Sequence, residues 1–223
     1  LATSKSITDL NLRLIKCDNA LSSEKVGLQS VIGFMENITR FSLHQDSAHS
    51  EAFYTALKTR KDLKALDINL IFLKIIDDAI LTHIGSMLNS LRKLEILHIR
   101  LENRGTDKSS DKGMSELLKS LQNLLLLQEF SFALESFKGL RGSFLTTMKE
   151  SLLKITCLLK FNFSLKSCQK IASSNIFFLG NWMNSLREVN MNIDNPSIDD
   201  PQLKHICDSI SEIKGLERQI GRA

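Results

Sequence analysis

Between Leu94 and Leu101 apolar side chains stand at positions one, four, six and eight, so Leu97, Ile99 and Leu101 alternate strictly with His98 and Arg100. A half-buried β-strand requires this two-residue period. Six further segments repeat it, beginning at Ile7, Ile38, Leu63, Leu127, Leu158 and Leu186, at spacings of 25 to 33 residues. The inward positions are Ile7/Leu10/Leu12/Leu14, Ile38/Phe41/Leu43/Gln45, Leu63/Leu66/Ile68/Leu70, Leu94/Leu97/Ile99/Leu101, Leu127/Phe130/Phe132/Leu134, Leu158/Phe161/Phe163/Leu165 and Leu186/Val189/Met191/Ile193. Gln45 alone among them is polar. Recurrence at such a period is the mark of a solenoid.

The sequence between the segments has helical spacing. Asp77-Asp78 is placed to cap a helix whose Ile80, Ile84, Leu88 and Leu91 share one face. Asp111-Lys112-Gly113 precedes Met114, Leu117, Leu118 and Leu121, and Pro201 opens a helix through Leu203, Ile206, Cys207, Ile210 and Ile213. Val26 to Met35, Ala52 to Leu57 and Phe144 to Ile155 read as helices too. Ile171 to Met183 is the least regular stretch. An all-helical array is the structural alternative, and far-ultraviolet circular dichroism separates the two by strand content.

From about Ile7 to Lys214 the chain resembles the leucine-rich repeat family, in particular its longer, ribonuclease-inhibitor-like repeats of one strand and one helix. Cys17 and Cys168 each lie ten residues past the first apolar position of their repeat. The resemblance implies that such a Cys turns inward and caps the loop leaving the strand. The equivalent Ala48, Leu73, Arg104, Phe137 and Pro196 depart from that pattern, so irregular turns are expected there. The fold expected is an α/β solenoid, a horseshoe of about seven strand–helix repeats with a parallel sheet on the concave face. Residues 1–223 are read as one such domain, with a fragment of a longer solenoid as the alternative. One end is expected to be covered, since Gly215 to Ala223 does not complete a further unit and bare strand edges invite pairing.

Composition narrows the function classes. The cysteines (Cys17, Cys157, Cys168, Cys207) show neither a disulfide framework nor metal-ligand spacing, as expected of thiols in a reducing, intracellular setting, the cytoplasm before an organelle or cytoskeletal assembly. No apolar run approaches the ~20 residues needed to cross a bilayer, so no membrane insertion is expected.

The outward positions form three rows. The third holds Asp9, Arg40, Ala65, Ile96, Glu129, Lys160 and Glu188; the fifth Asn11, Ser42, Asp67, His98, Ser131, Asn162 and Asn190; the seventh Arg13, His44, Asn69, Arg100, Ala133, Ser164 and Asn192. Their basic and acidic residues balance, so the chain's net +4 must lie mainly elsewhere. A nucleic-acid groove would concentrate Lys and Arg beside stacking aromatics, and this face does neither. No nucleic acid, cofactor, metal or small-molecule substrate is expected. His44 and His98 fall about 10 Å apart across two strand steps, too far to share a metal ion.

The reading is therefore a non-catalytic protein–protein interaction module, an adaptor or scaffolding subunit with protein partners in a multi-subunit complex. Its candidate contacts are Arg13, Arg40, His44, Asp67, Asn69, His98, Arg100, Asn162 and Asn190. Phe72, Phe137, Phe177, Phe178 and Trp182 offer a second, apolar docking patch, with burial the plainer role for each. Gly139-Leu140-Arg141-Gly142-Ser143 has the composition to wrap an anion but lacks the Gly-Lys-Ser/Thr ending of a nucleotide loop. The alternative function is that of a GTPase-activating protein of the leucine-rich repeat type, with the loop residue Arg104 of Asn103-Arg104-Gly105 placed against a transferred phosphoryl group.

Overall fold

The structure is a computed structural model and describes residues 7–14, 37–45, 51–71, 76–103, 108–171 and 185–222. Every zigzag segment forms a strand: β1 (Asp9–Leu14), β2 (Arg40–Gln45), β3 (Ala65–Leu70), β4 (Ile96–Glu102), β5 (Glu129–Glu135), β6 (Lys160–Lys166) and β7 (Glu188–Asp194). An eighth strand follows, β8 (Arg218–Arg222). All pair in parallel and in chain order within one sheet. The seven expected strands are all present, and β8 adds one in the stretch from Gly215 to Ala223, where the sequence reading placed no strand. Register aligns Gln219 with Val189 and Gly221 with Met191. The eighth strand therefore has polar and side-chain-less residues at positions where the others have apolar ones, and the periodicity does not report it.

Five helices occupy the described connections: α1 (Glu51–Lys58), α2 (Asp78–Leu88), α3 (Asp111–Lys119), α4 (Phe144–Leu152) and α5 (Asp200–Ser211). A short 3-10 turn, Ser120–Asn123, continues α3. The α2 face is as expected, with Ile84, Leu88 and Leu91 buried and Ile80 packed at the margin. On α5 the face is narrower than predicted: Ile206, Ile210 and Ile213 are buried, but Cys207 is exposed. The predicted helix from Val26 to Met35 and most of the stretch from Ile171 to Met183 lie outside the described residues; Ile171 itself is buried.

Strand and helix interiors merge into one core. From Ile38 onward every described inward side chain is buried, while Ile7, Leu10 and Leu12 of the first repeat are half-buried. The inward positions Leu14 and Gln45 lie outside the described side chains. Phe130 and Phe132 stack on Phe161 and Phe163 of the next strand, ring centroids 5.9 and 6.5 Å apart, so equivalent positions form a ladder through the interior. Parallel strands lie ~4.8 Å apart and packed helices ~10 Å, so such a stack leaves the face opposite the helices open.

Loop chemistry also runs from repeat to repeat. Asp77 caps α2 by accepting the Ile80 N–H at 3.0 Å. The cap of α3 is Ser110, just before Asp111; its N–H and hydroxyl donate to the Asp78 carboxylate of the preceding repeat at 2.7 and 2.6 Å. Where strands exit, Cys168 is buried and its thiol donates to the Lys166 carbonyl at 3.2 Å, as the resemblance implied. Phe137 fills the equivalent place one repeat earlier and is also buried, so apolar packing there substitutes for a cap. Pro196 is exposed; Cys17, Ala48, Leu73 and Arg104 lie outside the described residues.

Candidate protein-binding face

The strand register places the predicted outward residues in the expected rows. Asp9, Arg40, Ala65 and Ile96 pair across β1 to β4, continuing to Glu129, Lys160 and Glu188. Asp67 pairs with His98 and Asn69 with Arg100; Asn162 pairs with Asn190. Arg13 pairs with His44. All nine candidate residues therefore share the open face.

The structure groups them unequally. Asp67, Asn69, His98 and Arg100 line one open hollow of about 350 Å³, with Ser131, Glu135, Ser164, Lys166 and Asn192 completing its polar wall. A smaller hollow of about 220 Å³ adjoins it, with Arg40, Ser42, Ile96 and Glu129 beside Asp67 and His98. Arg13, His44, Asn162 and Asn190 line neither. The central residues are held by strands buried on their other side, so their backbone positions are set by the core and not by loops.

Charges on this face are matched across neighbouring strands. His98 Nε2 lies 2.9 Å from Glu129 Oε1, Arg100 Nη2 3.5 Å from Glu135 Oε2, and His44 Nε2 4.0 Å from Asp67 Oδ2. Arg40 faces Asp9 at 3.8 Å and Lys160 faces Glu188 at 3.7 Å. Pairs as exposed as these contribute roughly 0–1 kcal/mol each, so a partner can exchange them for its own at small cost. Asn69 lines the central hollow, and its Oδ1 is buried and accepts no hydrogen bond.

Glu135 and Lys166 escaped the sequence reading. They occupy a ninth position, one step beyond the eight-residue segment, and register aligns it as Glu102, Glu135, Lys166 and Asp194. Strand alternation carried one residue further would have found them. This row adds net negative charge, which Arg218 and Arg222 of β8 offset in the outward rows, so the face stays balanced.

The other candidates fare differently. Phe137 belongs to the core; Phe72, Phe177, Phe178 and Trp182 lie outside the described residues. The Gly139–Ser143 loop does wrap an anion, and the anion is internal: Asp111 accepts the Arg141 and Ser143 N–H groups at 2.9 and 3.0 Å and the Ser143 hydroxyl at 2.7 Å. Asn103 is buried, and Arg104 and Gly105 lie outside the described residues, so nothing favours the GTPase-activating alternative. Among the described residues no group of three or more His, Cys, Asp or Glu could hold a metal ion, and no helix is long and apolar enough to cross a membrane.

A sequential parallel ladder with helices in five of its connections, repeated about every thirty residues, decides the architecture. The chain has a leucine-rich-repeat-like fold. No family model matches it, and no curated protein sequence matches it. Among solved structures it is similar to the leiomodin-1 actin-binding site 2, at 15% identity and TM-score 0.44 over 66% of this chain and 80% of that one. It is also similar to a leucine-rich repeat protein of Leptospira interrogans, at 12% identity and TM-score 0.37, covering 98% of this chain and 55% of that one. At these values the likenesses carry no argument about what the repeats bind.

Proposed function

We propose that the open face of the repeat sheet binds a polar surface of a protein partner, and that the chain serves as an adaptor or scaffolding subunit of an intracellular assembly. The observation that carries this reading is the central hollow, in which Asp67, Asn69, His98 and Arg100 converge from adjacent strands. Its wall is polar, and Asp67, His98 and Arg100 each face an opposite charge on a neighbouring strand. A partner presenting hydrogen-bond donors and charges of both signs gains contacts there without having to order any loop. One continuous sheet supports treating residues 1–223 as a single recognition unit. No residue is assigned a chemical step.

The test is a photo-crosslinking residue placed at Ser131, capture from the native source, and titration calorimetry with each purified candidate. The combined His98→Ala and Arg100→Glu substitutions should weaken the true partner roughly tenfold or more, as loss of central contacts does. Glu116→Ala, on the outer surface of α3, should leave the affinity unchanged. The reverse result, sensitivity at Glu116 and indifference at the hollow, would move the binding surface to the helices and overturn the reading.

A further inference from the structure

The edge from which the strands start carries a feature that the open face does not explain. All strand N-termini of a parallel sheet share one edge, so the turns leading into successive strands line up there at ~4.8 Å per strand. The turn into β5 is Leu125-Leu126, with the two side chains 58% and 52% exposed. The matching turns of the preceding repeats are Lys61-Asp62 and Arg92-Lys93. Leu153 and Leu159 are also exposed and belong to the adjoining repeat. The segments touch: the Cys157 thiol donates to the Leu125 carbonyl at 3.0 Å, and Lys154 Nζ donates to Gln122 Oε1 at 2.7 Å. Turn geometry does not call for leucine, and solvent exposure of a cluster of them is unfavourable.

The leucines sit within a basic border. Three carboxylates of this edge are occupied, Asp62 by Lys93, Glu95 by Lys64 and Glu217 by Arg187, while the exposed Glu212 makes no ion pair among the described residues. Lys61, Arg92 and Lys214 make no ion pair among the described residues. Helix C-termini also lie at this edge, and their dipoles favour cations. That effect accounts for lysines and arginines but not for leucines between them.

We propose that this edge rests on an anionic lipid surface. Leu125 and Leu126 sink among the headgroups, while Lys61, Arg92 and Lys214 meet the negative lipid charges. The leucines project from a turn instead of lining a groove. A soft interface accepts projecting side chains directly, whereas a folded protein would need a pocket to match them. The basic residues run from the β3 turn to the β8 turn, five strand steps or about 24 Å, which suits an extended charged plane. The polar open face stays turned to the side, available to its protein partner.

The experiment is co-sedimentation of the full chain with phosphatidylcholine vesicles that contain about 30 mol% phosphatidylserine, and with pure phosphatidylcholine vesicles. Binding is expected to the first and not the second, and to fall as salt shortens the screening length. Leu125→Ser with Leu126→Ser should weaken it by roughly tenfold or more. Lys61→Glu and Arg92→Glu should each weaken it by about fivefold or more. These side chains are exposed, so unchanged circular dichroism should accompany every loss. No sedimentation with the anionic vesicles would overturn the proposal. So would binding that the leucine pair does not affect, which is adsorption by charge alone, or a protein partner mapped to this edge without vesicle binding.

Discussion

Asp111 offers the sharpest test of how the repeats are held together. Its carboxylate leaves the first turn of α3 and satisfies the loop before α4, accepting backbone N–H groups of Arg141 and Ser143 and the Ser143 hydroxyl. A further N–H, from Gly142, lies at a long 3.4 Å. Asp111→Ala removes every acceptor at once and withdraws a negative charge from the N-terminal ends of two helices. Capping losses run about 0.5–2 kcal/mol, and hydrogen bonds to a charged group add to this, discounted here because most are exposed. The expected cost is about 2 kcal/mol, which for a chain of this size lowers Tm by about 4–8 °C. Asp111→Asn keeps one oxygen and should lose about half as much. Thermal and urea denaturation of both variants, with Glu116→Ala as an exposed control on the same helix, measures the series. Ser143→Ala combined with Asp111→Ala should be less than additive, because the two share a bond. If both Asp111 variants unfold within about 0.5 kcal/mol of the parent, the repeat-to-repeat carboxylate is not a structural link.

Three further outcomes follow from particular contacts. A Cβ on Gly85 would lie 3.0 Å from the Glu116 carbonyl oxygen and 3.1 Å from the Leu117 Cα, so Gly85→Ala must push α2 from α3. The overpacking cost of about 1–3 kcal/mol should exceed the ~1 kcal/mol gained in helix propensity, visible as a lower urea midpoint. Ser136 holds φ at 64°, and Ser136→Gly relieves a left-handed strain of about 1–2 kcal/mol against a smaller glycine entropy cost, so Tm should rise slightly. Burial pushes the Tyr54 hydroxyl well above the ordinary phenol range. The folded state therefore holds this proton more tightly than the unfolded state. Stability from this group is complete below the unfolded pKa of ~10 and is lost as pH rises above it, by about 1.4 kcal/mol per pH unit. Tyr54→Phe should remove that slope from the stability difference measured between pH 9 and 11, and an unchanged slope would contradict the assignment.

Much of this molecule was legible along the chain because the inside of a coil imposes the same demand on every turn. Leu97, Ile99, Phe130 and Phe132 had to face one interior, and the pleat then placed Asp67, His98 and Arg100 on the opposite side in a register that the strand ladder confirms. Helix faces such as Met114, Leu117 and Leu118 followed from the 3.6-residue period for the same reason. Features without a period were silent. Gln219 and Gly221 hide β8, because a polar residue and a glycine at the inward positions break the apolar alternation. Asp111 reads as an ordinary first-turn carboxylate until the fold brings the loop at Ser143 against it, and Glu135 becomes part of the central hollow only when Arg100 is seen beside it. The sequence alone determined the repeating interior and the order of the outward rows, since both depend on local alternation. The tertiary structure decided which polar groups answer one another, because those partners lie about thirty residues apart and meet only once the coil has closed.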